Sequence, residues 1–157
     1  MKEPVLISAC LLGVNCRYDG DTKAVKLLHD APRILPIPIC PEQLGGLPTP
    51  RPASNLIGGD GRDVIDGKAR LVNDSGIDVT ENFIRGGKEA CLLARITGAK
   101  RAILKDKSPS CGTTMVKISG RWTNGVGVAA AMLEDMGIEI ENEYGDKIMR
   151  GQDEKGI

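Results

Sequence analysis

Residues 4–10, PVLISAC, form a short apolar run that ends in a cysteine and a glycine-containing loop. The run predicts a buried strand over 4–9. Two more strands are predicted in the same way, RILPIPI at 33–39 and AKRAIL at 99–104, and the prolines of the first indicate an edge position or imperfect pairing. Because helices are predicted between strands, the sequence predicts a single α/β domain with a largely parallel sheet flanked by helices.

The remaining elements follow from the same local patterns. A short helix is predicted over 23–30, a long helix over 79–97, a helix over 126–136 and a last strand over 138–140. Asp66-Gly67 predicts a hairpin that joins Val64-Ile65 to 69–72. A strand over 115–119 is followed by a predicted turn over 120–125. Gly86-Gly87 within the long helix predicts close packing, and residues 142–157 are predicted to be a polar, loosely ordered tail outside the 1–141 domain.

Composition excludes several classes of protein. Among the 157 residues, Lys and Arg total 21, as do Asp and Glu, so the formal net charge is zero and gives no general attraction to nucleic acid. An aromatic content of 3% provides few side chains for base stacking. No stretch approaches the roughly 20 apolar residues of a membrane helix, and no signal-peptide cleavage site follows the first apolar run. These features predict a cytoplasmic protein.

Three of the five cysteines follow predicted strands. Cys10 and Cys40 come directly after the first two strands, and Cys111 lies in the loop after the third. The carboxyl ends of parallel strands gather at one edge of a sheet, so these thiols are expected to converge there. Three thiolates are a natural cradle for a cubane iron–sulfur cluster with one open iron. The alternatives are cysteines that only pack at strand ends and a zinc site that also recruits Cys16.

The other metal-ligand residue types have simpler interpretations. His29 is the one histidine, and we expect it on the surface of the short helix rather than at a metal. Cys91 shares a side of the long helix with Phe83, Ala90 and Ala94, which predicts core packing.

Three blocks around the strand-end cysteines carry a family resemblance. SACLLGVNCRYDG at 8–20, CPEQLGGLPTPR at 40–51 and LKDKSPSCG at 104–112 together resemble the signature blocks of the thiouracil desulfurases, formerly domain-of-unknown-function family 523. GVGVAAAMLEDMGI at 125–138 is similar to the family's closing helix and strand. The resemblance implies a [4Fe-4S] cluster held by Cys10, Cys40 and Cys111, with one iron open, and hydrolytic removal of sulfur from thiolated uracil to give uracil and hydrogen sulfide.

The resemblance also suggests how the reaction runs. A soft thiocarbonyl sulfur suits an open iron, which would polarise the carbon–sulfur bond as a Lewis acid. Glu42 is the predicted base for the attacking water; its alternative role is to cap backbone N–H groups of the loop. Ser108 or Ser110 is predicted to contact the substrate or the water, and the sequence does not choose between them.

Other residues of these blocks are weaker candidates for substrate binding. Arg17 and Lys105 are predicted to offset negative charge, with Arg17 also a candidate clamp on a pyrimidine carbonyl; both have solvated or ion-paired alternatives. Asp19 is predicted to be a second carboxylate of the site or a turn former before Gly20. Cys16 is interpreted as an idle neighbour, a sulfur relay or a fourth ligand, and the last role would remove the open iron.

Two further functions stay open at this stage. The same chemistry on thiolated uridine in transfer RNA or nucleosides is one, and a zinc-binding, non-catalytic interaction module is the other. A small thiopyrimidine is the predicted substrate, and the sequence is compatible with a monomer or a homodimer.

Overall fold

Eight strands and four α-helices make up the described part of the chain, residues 1–25 and 32–150 of a computed structural model. A short 3-10 helix, Ala9–Leu12, follows the first strand. The strands are β1 (Glu3–Ser8), β2 (Ile34–Ile39), β3 (Ser54–Ile57), β4 (Arg70–Asn73), β5 (Arg101–Leu104), β6 (Met115–Ile118), β7 (Arg121–Asn124) and β8 (Glu139–Asn142). The helices are α1 (Pro41–Leu44), α2 (Gly61–Ile65), α3 (Thr80–Thr97) and α4 (Val128–Asp135).

One of the two sheets is wholly parallel. Its strand order is β2-β1-β5-β8, and each neighbouring pair runs parallel. The predicted α/β class, the largely parallel sheet and the edge position of β2 are therefore confirmed. The three strands that precede the candidate cysteines, β1, β2 and β5, are neighbours in this sheet, so the loops at their carboxyl ends lie side by side.

The second sheet is mixed, with strand order β4-β3-β6-β7. β3 pairs antiparallel with β4 and parallel with β6, and β6 pairs antiparallel with β7. Helices α3 and α4 pack on one another and on both sheets. On the side of the parallel sheet, small residues allow close approach, and the buried cluster includes Leu6, Ala90, Ala94, Ala130 and Leu133. On the side of the mixed sheet, the cluster includes Leu56, Leu71, Phe83, Val116 and Val128.

Successive side chains of β1 point to opposite faces of the sheet and so pack in two different cores. Leu6 contacts the helices, whereas Val5 and Ile7 point to the opposite face of the sheet. Residues of the 3-10 helix and Cys16 cover that second face. Cys10 and Cys16 are therefore buried with Leu11 in a small separate core. Cys91 is buried in the main helix–sheet core, as predicted.

Two local predictions are wrong. Val64 and Ile65 lie in α2, not in a hairpin, because Asp60 caps this helix: its side chain accepts the backbone N–H groups of Arg62 and Asp63. The predicted turn over 120–125 is mostly strand β7. The reversal needs only Ser119 and Gly120, both with positive φ (47° and 83°), which is the geometry of a two-residue hairpin.

The helix predicted over 23–30 falls mainly on residues 26–31, which lie outside the described residues, and His29 is among them. Among the residues that the model describes, none of the helices combines the length and apolarity that crossing a bilayer requires. In the predicted tail, Met149 donates its backbone N–H to the carbonyl of Thr113 and Ile148 packs on the main core.

Candidate active site

A cavity of about 130 Å³ opens at the carboxyl ends of the parallel strands. Ser8 and Ile39, the last residues of β1 and β2, form part of its wall, and the segment Lys105–Cys111 after β5 forms another part. The rest of the lining comes from the loop after the 3-10 helix and from the proline-rich segment after β2, namely Cys16, Arg17, Tyr18, Cys40, Pro41, Glu42 and Arg51. Three segments distant in sequence thus meet at one sheet edge, as ligand sites in open α/β sheets do.

Four cysteines lie at or next to this cavity. Among the described residues, its lining includes Cys16, Cys40 and Cys111 but not Cys10. The thiol of Cys16 is close enough to those of Cys10 and Cys40 for these neighbours to shift its pKa. The Cys40 thiol also lies 3.7 Å from the carbonyl oxygen of Cys16. All five cysteines are free thiols, so none of these contacts is a disulfide.

The surroundings of these thiols oppose ionisation. The neighbouring thiol of Cys10 raises the pKa of the Cys16 thiol to about 11. The neighbouring thiol of Cys16, together with burial, raises the pKa of the Cys40 thiol far above its usual range. Burial raises the pKa of Cys111 to about 12, although the hydroxyls of Ser8 and Ser110 oppose it. Crowded, buried thiols of this kind become thiolates when a metal supplies the positive charge.

The donor set at this cavity consists of soft thiols, which suit a metal cluster bound through sulfur. Within residues 1–25 and 32–150, no three His, Cys, Asp or Glu side chains are grouped as around one metal ion. Soft thiol donors around a largely buried cavity are the chemistry that iron–sulfur clusters require.

Glu42 is held in place on both sides of its carboxylate. It lies in α1, next to Pro41, which begins the helix. Its Oε1 accepts a hydrogen bond from Nε of Arg51 at 3.0 Å, and its Oε2 accepts one from Oγ of Ser110 at 3.1 Å. The side chain is only 12% exposed. The geometry therefore brings Glu42 to the thiols, with its carboxylate fixed by an arginine and a serine rather than by the backbone N–H groups of a loop.

The two candidate serines occupy different positions. Oγ of Ser108 accepts the backbone N–H groups of Ser110 and Cys111, at 3.2 and 3.1 Å, and so shapes the loop that carries Cys111. Oγ of Ser110 contacts Glu42 and lies 3.7 Å from Sγ of Cys111. The two hydroxyls are 3.1 Å apart, and either can donate to the other. Ser110 is thus the serine in direct contact with both the carboxylate and a thiol.

The predicted charged residues are placed unequally. Arg17 lines the cavity, its guanidinium 5.6 Å from the ring centroid of Tyr18 and 3.8 Å from Asp19. Asp19 is outside the lining and accepts the backbone N–H of Asp21, which is a turn interaction. Lys105 lines the cavity, but its Nζ is paired with Glu143 at 3.2 Å.

Asp106 was not predicted, yet it organises the loop that carries Cys111. Its buried carboxylate accepts four backbone N–H groups of this loop, from Lys107, Thr113, Thr114 and Met115. Burial alone would raise the pKa of Asp106, but the bonds from the Thr114 hydroxyl and from the backbone outweigh it and hold the pKa well below its usual range. Its position between a strand end and a Ser/Thr-rich loop is the signal that could have found it.

Glycines let backbones meet directly around the site. A Cβ on Gly127 would lie 2.4 Å from the carbonyl carbon of Ser110, so the start of α4 touches the Cys111 loop. A Cβ on Gly86 would lie 1.9 Å from the carbonyl oxygen of Pro41, so α3 touches the segment between Cys40 and Glu42. The close packing predicted at Gly86-Gly87 is confirmed, and it bears directly on the cavity wall.

Comparison with known proteins gives consistent matches over nearly the whole chain. A model of the 2-thiouracil desulfurase family matches residues 5–144. The uncharacterized protein YbbK of Bacillus subtilis (strain 168) is 40% identical over 151 residues, which cover 90% of this chain and 98% of that protein. The solved structure of the [4Fe-4S]-dependent thiouracil desulfidase TudS superposes with a TM-score of 0.76 at 37% identity, covering 91% of this chain and 92% of that one.

Proposed function

The chain belongs to the 2-thiouracil desulfurase family, and from this membership we propose that it hydrolyses a small thiolated uracil to the oxygen analogue and hydrogen sulfide with the help of a [4Fe-4S] cluster. The observation that carries the proposal is the meeting of buried thiols and the Glu42 carboxylate around one cavity of about 130 Å³. We also propose that the protein works in the cytoplasm, where reducing conditions keep its thiols free.

Cys10, Cys40 and Cys111 are the proposed ligands of the cluster, which leaves Cys16 as a neighbouring thiol. Cys40 and Cys111 come from adjacent walls of the cavity, and Cys10 is buried in one cluster with Cys16 and Cys40. When bound, a cluster with one open iron would supply a soft Lewis acid for the substrate sulfur.

Glu42 is the proposed base for the attacking water. A carboxylate offers about four acceptor positions, so Arg51 and Ser110 leave room for a water molecule at its oxygens. Glu42 would take one proton from the water as the water oxygen bonds to the thiocarbonyl carbon, and would pass that proton to the sulfur. As the carbon–sulfur bond breaks, the oxygen forms the new carbonyl and releases its remaining proton, which the departing hydrosulfide takes up. The atoms of water and thiouracil then balance those of uracil and hydrogen sulfide.

The remaining predicted residues are assigned supporting roles. We assign Arg17 to a carbonyl of the pyrimidine, because its guanidinium borders the cavity. Ser110 is assigned to orient the carboxylate of Glu42 and the water beside it, and Ser108 to fix the loop on which Ser110 stands. Lys105 contributes positive charge at the rim, while Asp19 holds the turn next to Arg17.

The test combines metal analysis with turnover. Protein purified without oxygen is expected to carry about four irons and four sulfides per chain and to release sulfide from 2- or 4-thiouracil. Glu42→Gln should keep this iron content and lose at least about 100-fold in kcat, in the range that a general base contributes. Glu134→Gln is the matched control, because Glu134 also pairs with an arginine but does not line the cavity.

Three results would contradict the proposal. A metal content of one zinc per chain and no iron would show that the protein is a zinc-binding module without an iron–sulfur cluster. Full activity of Glu42→Gln would remove Glu42 from the role of base. Turnover of thiolated transfer RNA or nucleosides at rates far above those of the free base would show that the substrate is the nucleoside or the RNA and not the free base.

A further inference from the structure

The guanidinium of Arg51 is buried in the wall of the cavity, with only 3% of its side chain exposed. Nε donates to Oε1 of Glu42 at 3.0 Å. Nη1 donates to the carbonyl of Pro48 at 3.0 Å and to the hydroxyl of Thr49 at 2.9 Å, and Nη2 donates to the carbonyl of Cys16 at 3.0 Å. All three nitrogens are therefore engaged, each with a different part of the site.

Two of these parts come from different regions of the chain. The Nη2 bond joins Arg51 to the loop after the 3-10 helix, 35 residues earlier in sequence. The backbone of Arg51 adds a second link to this loop, because its N–H donates to the carbonyl of Tyr18 at 2.8 Å. Arg51 thus fixes the Cys16–Tyr18 wall of the cavity relative to the helix that carries Glu42.

Stability alone gives a weak reason for such a contact. Taking two charges out of water costs about as much as their attraction returns, so buried ion pairs are often replaceable by apolar residues. What a buried arginine provides is direction. The bonds of Nη1 and Nη2 hold the planar guanidinium fork in place, so its Nε donates to Glu42 from a fixed position. A lysine ammonium, which rotates freely, does not do this. Since Ser110 holds the other carboxylate oxygen, the plane of the Glu42 carboxylate is set by two partners.

We propose that Arg51 is a positioning residue for the hydrolysis, holding the carboxylate of Glu42 in the orientation in which it receives the proton of the attacking water. The inference rests on the proposed function, in which Glu42 is the base. Arg51 was not among the residues predicted from sequence. Its three guanidinium nitrogens are all bonded to protein groups, so it acts through Glu42.

The first test measures kinetics per bound cluster. Arg51→Lys keeps the charge but loses the fork, and it is expected to lower kcat by about 100-fold, as small misplacements of catalytic groups do. KM should stay within about threefold. Arg62→Lys is the matched control, because Arg62 also binds a glutamate and a backbone carbonyl, at a distance from the cavity. Wild-type kcat per cluster in Arg51→Lys would overturn the inference, even if that variant binds less iron.

A double variant separates positioning from an independent effect. If Arg51 acts through Glu42, Arg51→Lys should cause no further loss in a Glu42→Gln background. Losses that multiply would overturn the inference. Full activity of Glu42→Gln by itself would instead refute the proposed role of Glu42, and an inactive wild type would refute the proposed function, so the failures are distinguishable.

Two structural readouts complete the test. A crystal structure of Arg51→Lys holoenzyme should show the Glu42 carboxylate displaced or in several orientations, and an unmoved carboxylate would overturn the inference. If Arg51→Lys does not fold, the Arg51–Glu42 contact can still be tested by replacing Glu42. Glu42→Gln leaves a buried guanidinium without its counter-charge and should lower Tm by about 5–10 °C relative to Glu134→Gln, and an equal Tm in the two variants would refute the Arg51–Glu42 contact.

Discussion

Replacing Gly86 by alanine sets two known effects against each other. Gly86 lies within α3, where its missing side chain lets the helix backbone approach Pro41. A Cβ at this position would lie 1.9 Å from the Pro41 carbonyl oxygen, whereas carbon and oxygen atoms in contact are normally about 3.3 Å apart. The obstacle is backbone and not a flexible side chain, so α3 and the Cys40–Glu42 segment must separate by more than an ångström.

The two effects differ in size. Alanine is favoured over glycine in a helix interior by about 1 kcal/mol. Overpacking a tight contact costs up to about 3 kcal/mol. The clash therefore exceeds the helix preference, and we expect Gly86→Ala to lower the free energy of unfolding by about 2 kcal/mol, which for a chain of this size lowers Tm by about 6 °C.

The same displacement reaches the site, because Pro41 stands between Cys40 and Glu42. We expect Gly86→Ala to reduce iron content and to lower kcat per cluster by at least tenfold, since small shifts of catalytic groups are costly. Calorimetry and anaerobic iron analysis measure the two effects.

Gly87→Ala is the matched control at the next residue of the same helix. Its Cβ would meet Sδ of Met132 at 2.4 Å, and that sulfur is on a flexible side chain that can move aside. We expect its Tm within about 3 °C of wild type and a full iron content. A Gly86→Ala protein as stable and as iron-rich as Gly87→Ala would refute this account of the α3 contact.

Three further predictions concern the site. Asp106→Asn should lower the free energy of unfolding at pH 7 by about 3 kcal/mol. Because the folded-state pKa of Asp106 is depressed, its stabilisation is present above about pH 4 and is lost at lower pH; a wild-type-to-variant gap in urea denaturation that stays constant from pH 7 to pH 3 would contradict this. Ser110→Ala should lower kcat about tenfold, because Glu42 loses one hydrogen bond to a charged acceptor, and an unchanged kcat would exclude that role. Cys10→Ser should lose iron and Cys16→Ser should keep it; the reverse result in iron analysis would exchange their roles.

Local patterns sufficed to predict the parallel sheet. The apolar runs of β1 and β5 and the proline-marked edge strand β2 are recognisable without tertiary contacts, and so is the long helix α3 with its glycine stop. Val64-Ile65 was mistaken for strand because two apolar residues fit either periodicity. The cap of Asp60, which decides for helix, acts on the first turn only.

The sequence could predict those residues of the candidate site that follow directly after strands. Cys40, Cys111 and Glu42 follow strand ends, and parallel strands gather those ends at one edge. The hydrogen-bond partners of Glu42 were harder to predict from sequence, because Arg51 and Ser110 contact it only after the proline-rich segment and the Cys111 loop have folded. The sequence gives one indication that Arg51 is buried: it lies between Pro50 and Pro52 in a rigid loop.

Strand β2 has one more consequence, which concerns contacts between molecules. It forms the border of the parallel sheet and carries Pro36 and Pro38, two residues without a backbone N–H. Such a border is a poor template for a strand from a neighbouring molecule, so pairing of two copies through β2 is disfavoured. The two prolines thereby protect the segment leading to Cys40 from intermolecular strand exchange and aggregation.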